Sequence, residues 1–200
     1  MLTRRAFLVT SAAAMALFAA RPSAWAQAGA DPTGFVVTLG NQMAAIVNGP
    51  GTLEQKRARM QPLIEQAVDI NGIGQFCLGR YWRTATPQQQ QRFLQLFHAV
   101  LLNNITSKLG EFQGVTFRPT TTTQREGDYY VGTIINRPNQ QPNNVQWVVS
   151  MATGRPLITD VIAEGTSIRL TYRSDYASYI SRNGNSVDAL LAAMQRQAGA

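Results

Sequence analysis

Apolar positions recur with a helical period through the first half of the chain and with a period of two through much of the second. Asp31-Pro32 places an acidic cap before a proline at the first helical position, and Phe35, Leu39, Met43 and Ile46 follow at helical spacing. This first helix should stop at Asn48-Gly49-Pro50-Gly51. Thr52, with Gln55 three residues on, has the form of a capping box and opens a second helix to about Asp69, with a kink or break expected at Pro62. A short third helix is expected over "INGIGQFCLG". Thr86-Pro87-Gln88-Gln89 then starts the longest helix, which should run to Gly110. Its apolar residues Phe93, Leu94, Leu96, Phe97, Val100, Leu101, Leu102 and Ile105 form a face wider than a core stripe requires, so this helix is either surrounded or lines a cavity.

From Val115 the period changes. "NVQWVVSM" sets Val145, Trp147, Val149 and Met151 against Gln146, Val148 and Ser150, and "SIRLTYR" sets Ile168, Leu170 and Tyr172 against Arg169, Thr171 and Arg173. Both read as antiparallel strands with one apolar face. Arg125-Glu126-Gly127-Asp128 is a tight turn and residues 137–144 a longer loop. Two closing helices, near Ser174 to Ser181 and from Ser186 to about Gln197, flank Asn183-Gly184-Asn185. The pattern predicts an α+β fold in which helices pack on one face of an antiparallel sheet of about five strands.

The first 26 residues change the picture of where the chain works. A basic start precedes an apolar run from Ala6 to Ala20 and the small-x-small site Ala24-Trp25-Ala26, which reads as a signal peptide cleaved after Ala26. The run falls short of the roughly 20 residues a spanning helix needs. Thr3-Arg4-Arg5-Ala6-Phe7-Leu8 also resembles a twin-arginine signal, so both the general secretory and the twin-arginine routes fit. The expected mature chain, residues 27–200, is one periplasmic domain. Of 18 basic residues, three leave with the leader; the remaining 15 against 11 acidic residues give +4. That charge is scattered, without the basic stripe that marks a nucleic-acid partner.

Candidate chemistry is sparse. One cysteine and one histidine supply too few soft ligands for zinc, and no cofactor is expected. Cys77 reads as a small buried hydrophobe. His98 sits at the edge of the long helix's apolar face with no visible nucleophile or acid partner, which favours a structural role. Asp160 and Glu164 invite an acid–base reading. In a strand, Ile158, Asp160, Ile162 and Glu164 share one face, but the two carboxylates then stand roughly 13 Å apart at the backbone, too far to cooperate. Glu164-Gly165-Thr166-Ser167 reads as a hairpin turn, so the pair frames the structure.

Leu78-Gly79-Arg80-Tyr81-Trp82, then Ala85-Thr86-Pro87, then Asp160-Val161-Ile162-Ala163-Glu164-Gly165-Thr166-Ser167 stand in an order and spacing that resembles the toluene-tolerance family (MlaC-type). The resemblance spans about Asp69 to Met194 and departs from the family pattern in three places, at Asn48-Gly49-Pro50-Gly51 between the opening helices, in a leader that fits the twin-arginine type, and at Gly154-Arg155-Pro156-Leu157. It implies a cone similar to nuclear transport factor two, a curved sheet closed by helices around a deep apolar cavity. It further implies a periplasmic phospholipid carrier of the maintenance-of-lipid-asymmetry system, without turnover, exchanging lipid between an outer-membrane lipoprotein complex and an inner-membrane ABC transport complex. Such a carrier needs apolar wall and little polar detail. The candidate lipid-binding residues are Leu78, Tyr81, Phe93, Phe97, Leu101, Ile105, Val131, Ile134, Trp147, Val149, Leu170 and Tyr172, with Arg80 and Arg83 for the headgroup. The alternatives are a hopanoid-type cargo, a cone-fold enzyme with Asp160 as base, and an adaptor whose core is filled.

Overall fold

A computed structural model describes residues 31–199; the leader expected at residues 1–26 lies outside them. Helix α1 (Pro32–Asn48) starts where Asp31 accepts the Thr33 amide at 2.9 Å. Helix α2 (Leu53–Ala67) has both halves of its capping box, with the Gln55 amide donating to Thr52 Oγ1 and the Thr52 amide to Gln55 Oε1. It continues through Pro62 without the expected break. Pro62 is exposed while Met60 and Ile64 are buried on either side of it, so core packing carries the helix past the missing amide. Helix α3 (Ile70–Leu78) and a 3-10 turn (Gly79–Arg83) lead to α4 (Pro87–Thr106), capped by Thr86 and Gln89 in the same reciprocal way. A 3-10 turn at Leu109–Phe112 follows, so α4 ends a turn before Gly110.

Strands β1 (Thr116–Arg125), β2 (Asp128–Asn136), β3 (Asn143–Ser150), β4 (Leu157–Ala163) and β5 (Thr166–Ser167) form an antiparallel meander in chain order. Two-residue turns close its ends: Glu126 and Gly127 at φ 51° and 90°, Glu164 and Gly165 at 52° and 81°. Left-handed conformation at both central residues matches the twist of paired strands, so the turn expected at Glu164-Gly165 is present.

The strand expected over "SIRLTYR" is helix. Helix α5 runs over Ile168–Arg182, and α6 over Val187–Ala198. Local caps override the alternation. Ser167 Oγ accepts the Leu170 amide, Asp160 Oδ1 accepts the Arg169 amide, and the Thr171 hydroxyl donates to the Ser167 carbonyl. Once the turn is nucleated, Ile168, Tyr172, Tyr176 and Ile180 fall at four-residue spacing on one face.

Two irregularities bend the sheet. One lies in β1 between Pro119 and Thr122, where Gly132 of β2 passes so close that a Cβ would stand 2.5 Å from Thr120 Oγ1. The other lets Val148 pair Asp160 and Val149 pair Ile158, leaving Thr159 as the extra residue. The bulge shifts the phase of β4 by one residue, so Ile158 and Asp160 do not share a sheet face as simple alternation predicts.

Two buried cores result. Phe35, Val36 and Leu39 of α1 pack on Val131, Val149 and Ile158 of the sheet; Phe93 and Phe97 of α4 pack with Tyr176 and Ile180 of α5 and Leu190 and Met194 of α6. Met43 and Val68 touch both.

Candidate functional site

The cores do not close on each other. Between them lies a cavity of about 470 Å³, partly open to solvent, within the range of ligand sites. Helix α1 contributes Leu39, Met43 and Val47, α2 contributes Met60 and Ile64, and α4 contributes Phe97, Leu101 and Ile105. The sheet adds Phe117, Ile135, Val145, Trp147 and Val161, and α5 adds Ile168 and Tyr172. The charged residues on this mostly apolar lining are Lys108, Asp160 and Arg169, and Asn104 adds an amide.

Helices α4 and α5 meet through side chains. Phe93 meets Tyr176 edge-on at 5.8 Å, Phe97 meets Tyr172 at 6.2 Å, and Asn104 Nδ2 donates to the Tyr172 hydroxyl at 2.9 Å. Phe97 and Tyr172 make their contact on the cavity lining, and Phe93 and Tyr176 make theirs in the buried core behind it. On the opposite wall, Trp147 Nε1 donates to Thr133 Oγ1 at 2.9 Å, which satisfies the indole while its ring faces Phe117. Gly40 of α1 lets Phe117 approach, since a Cβ there would lie 2.8 Å from the ring.

Of the sequence candidates, Phe97, Leu101, Ile105, Trp147 and Tyr172 line this cavity. Leu78, Tyr81, Phe93, Val131 and Val149 are buried in the cores behind it. Ile134 occupies the β2 position next to the lining Ile135, so alternation turns it to the other face of the sheet. Leu170 is 55% exposed, because α5 replaced the strand that would have carried it inward. Arg80 and Arg83 are exposed and away from the lining. Arg80 lies over the Tyr81 ring and donates to its hydroxyl, which donates in turn to Asn185 Oδ1. Sequence reading missed the α1 wall and the two cations. Gly40 and Ala44 beside Leu39, Met43 and Val47 were the available signal, since small residues on an apolar helix face leave room next to it.

Asp160 is 5% exposed and fully engaged. Oδ1 accepts the amides of Val161 and Arg169; Oδ2 accepts the Ser167 hydroxyl at 2.5 Å and lies 3.5 Å from Arg169 Nε. A carboxylate tying a strand to the start of the next helix is a structural cap. Cys77 donates to the Arg169 carbonyl, and burial, reinforced by Asp160, pushes its thiol from the ordinary 9.0 up to about 12. Burial likewise raises the Tyr176 phenol. His98 does have an acidic neighbour, contrary to expectation: its Nε2 lies 3.1 Å from Glu65 Oε1 on α2, a half-exposed pair joining two helices of the cavity wall. Among the described residues no cluster of histidine, cysteine and carboxylates is suited to a metal ion, and no helix is long and apolar enough to cross a membrane.

Comparison with known proteins adds three findings. A family model described as MlaC protein matches residues 39–196. The Toluene tolerance protein ttg2D of Pseudomonas putida is 30% identical over 129 residues, covering 63% of this chain and 60% of that protein. A solved structure of a phospholipid-binding protein from Ralstonia solanacearum, in complex with a phospholipid, superposes with a TM-score of 0.75 at 22% identity, covering 84% of this chain and 97% of that one. The last shows a shared fold.

Proposed function

The chain belongs to the MlaC protein family, and from that premise we propose that it binds a phospholipid by its acyl chains and carries it through the periplasm. The observation that carries this reading is the partly open apolar cavity of about 470 Å³ between the two cores. An acyl chain leaving a bilayer exposes methylenes worth about 0.8 kcal/mol each, and a wall of Leu, Ile, Met, Phe and Trp side chains returns that free energy without specific polar contacts. The name of the Pseudomonas putida relative and the phospholipid bound by the Ralstonia solanacearum protein support the cargo class. In this reading Phe97, Leu101, Ile105, Trp147 and Tyr172 contact the chains, together with the α1 wall. The carrier takes lipid at one membrane complex and releases it at another, an outer-membrane lipoprotein complex and an inner-membrane ABC transporter being the expected stations. It performs no covalent chemistry, which agrees with Asp160 being occupied on both oxygens.

Native mass spectrometry of the exported protein, with organic extraction of whatever travels with it, tests the reading. The expected outcome is a mass increment matching phospholipid on the folded chain. A chain that leaves its host bare and extracts no lipid from vesicles overturns it; an increment of hopanoid size keeps the carrier and changes the cargo.

A further inference from the structure

Along the sequence the positive charge of the mature chain is scattered; the fold gathers it. Helix α3 and the 3-10 turn after it carry Arg80 and Arg83 and no carboxylate, and α5 carries Arg169, Arg173 and Arg182 against Asp175. These five arginines against one acid give +4, the net charge of the whole mature chain, so its remaining ten basic and ten acidic residues balance.

The two segments pack side by side. Cys77 Sγ donates to the Arg169 carbonyl from 92 residues away, Arg173 Nη1 donates to the Phe76 carbonyl, and the Tyr81 hydroxyl donates to Asn185 Oδ1 just beyond the end of α5. Gly79 admits Arg173: it sits at φ 59°, and a Cβ there would stand 3.1 Å from Arg173 Nε. Aromatic rings back the guanidiniums. Arg169 and Arg173 lie 4.6 and 4.8 Å from the centre of the Phe76 ring, and Arg80 lies 4.8 Å from that of Tyr81. Asp160 offsets Arg169. Arg80, Arg83, Arg173 and Arg182 are exposed and have no carboxylate within ion-pair distance among the described residues.

We propose that this α3–α5 flank is a docking surface for a carboxylate-rich face of a partner protein, which holds the carrier by its side and leaves the cavity free. The proposal rests on the carrier reading above and names the chemistry of a station the carrier visits. All five cations are arginines, whose planar forks pair two carboxylate oxygens and which protein interfaces favour over lysine. Leu170, 55% exposed and one turn before Arg173, offers an apolar anchor within the charged field. Helix α5, 15 residues long, spans roughly 22 Å, enough for one side of an ordinary protein interface. A bilayer is the poorer match: one that supplied lipid would have to face the cavity, and of the five arginines only Arg169 lines it.

The test sediments the lipid-loaded protein with three probes: washed envelope membranes of its host, the same membranes after protease digestion, and vesicles made from their extracted lipids. The protein should sediment with the untreated membranes only, and raising salt from about 50 to about 300 mM should release it, as screening of exposed charges requires. Arg83→Glu with Arg182→Glu should bind about tenfold more weakly, whereas Arg118→Glu with Arg125→Glu, which changes the net charge equally on the exposed strand β1, should bind like the unaltered protein. Both variants should keep their lipid in native mass spectrometry. Arg83 makes no hydrogen bond, ion pair or ring contact among the described residues, so if the first pair does not fold, Arg83→Glu alone should weaken binding about threefold. Equal or greater weakening by the β1 pair would assign the effect to net charge and overturn the surface. Binding to lipid vesicles or digested membranes as strong as to intact ones would reassign the flank to the bilayer and overturn the protein partner, and sedimentation with none of the three overturns docking itself. A chain that docks as expected but never carries lipid overturns the carrier reading and keeps the surface.

Discussion

Leu101 and Val149 are both apolar residues that sequence patterning placed on inward faces, and the structure gives them different work. Leu101 is half-buried on the cavity wall, whereas Val149 is fully buried between α1 and the sheet. Replacing Leu101 by Gln should leave a folded protein that retains several-fold less lipid, because a polar group in the wall loses its water when acyl chains enter. Val149→Gln should instead unfold much of the population, since overpacking and an unsatisfied amide in a closed core together cost about 2–6 kcal/mol. Circular dichroism and lipid extraction on the two variants distinguish these outcomes; equal lipid loss at equal stability would contradict the placement. Residue identity alone could not separate them, because core and cavity wall draw on the same side chains. Burial decides, and burial is a property of the neighbours.

At the scale of elements, caps were the most reliable local signal. Thr52 with Gln55 and Thr86 with Gln89 close the capping boxes their spacing announces. Alternation was less reliable. Ile168, Leu170 and Tyr172 alternate as a strand would, yet the hydrogen bonds of Ser167 and Asp160 start a helix there, and Asp160 comes from β4, on the far side of the Glu164-Gly165 turn. The β4 bulge had no sequence signature either, because it arises from how Val148 and Val149 pair across to Asp160 and Ile158. Gly40 makes the same point in energetic terms. Alanine there should gain about 1 kcal/mol of helix propensity, but its Cβ meets the Phe117 ring at 2.8 Å, and overpacking costs about 1–3 kcal/mol. Gly40→Ala should therefore not stabilise the protein, and urea denaturation checks this; a gain near 1 kcal/mol would show that Phe117 moves freely.

For the whole molecule, the buried groups that do no chemistry shape its response to pH. Cys77 keeps its proton up to about 12 in the fold, whereas in the unfolded chain it ionises near the ordinary 9.0. The unfolded state therefore loses a proton first, and this stabilisation, complete below about 9, drains away as pH rises toward 12. Between pH 8 and 10 the cysteine contribution should amount to about 1 kcal/mol. Tyr176 acts in the same sense from about pH 10 upward, since its phenol is also raised by burial. Urea midpoints of the protein and Cys77→Ala at pH 8 and pH 10 isolate the first part: the variant should lose less stability on going to pH 10, and parallel losses would show that Cys77 is not the source.

Period, caps and turn residues determined the α+β class, four of the strands, all six helices except the first turns of α5, and both tight turns, because those features depend on neighbours within a few residues along the chain. Motif order carried the family resemblance for a similar reason, being written in linear spacing. Only the tertiary structure decided which apolar faces meet and which stay apart. The cavity lies where Phe97 of α4 meets Tyr172 of α5 on one side and Phe117 and Trp147 of the sheet stand beside α1 on the other. Those contacts join positions some 75 to 85 residues apart, such as Phe97 with Tyr172 and Gly40 with Phe117, and no local period encodes them.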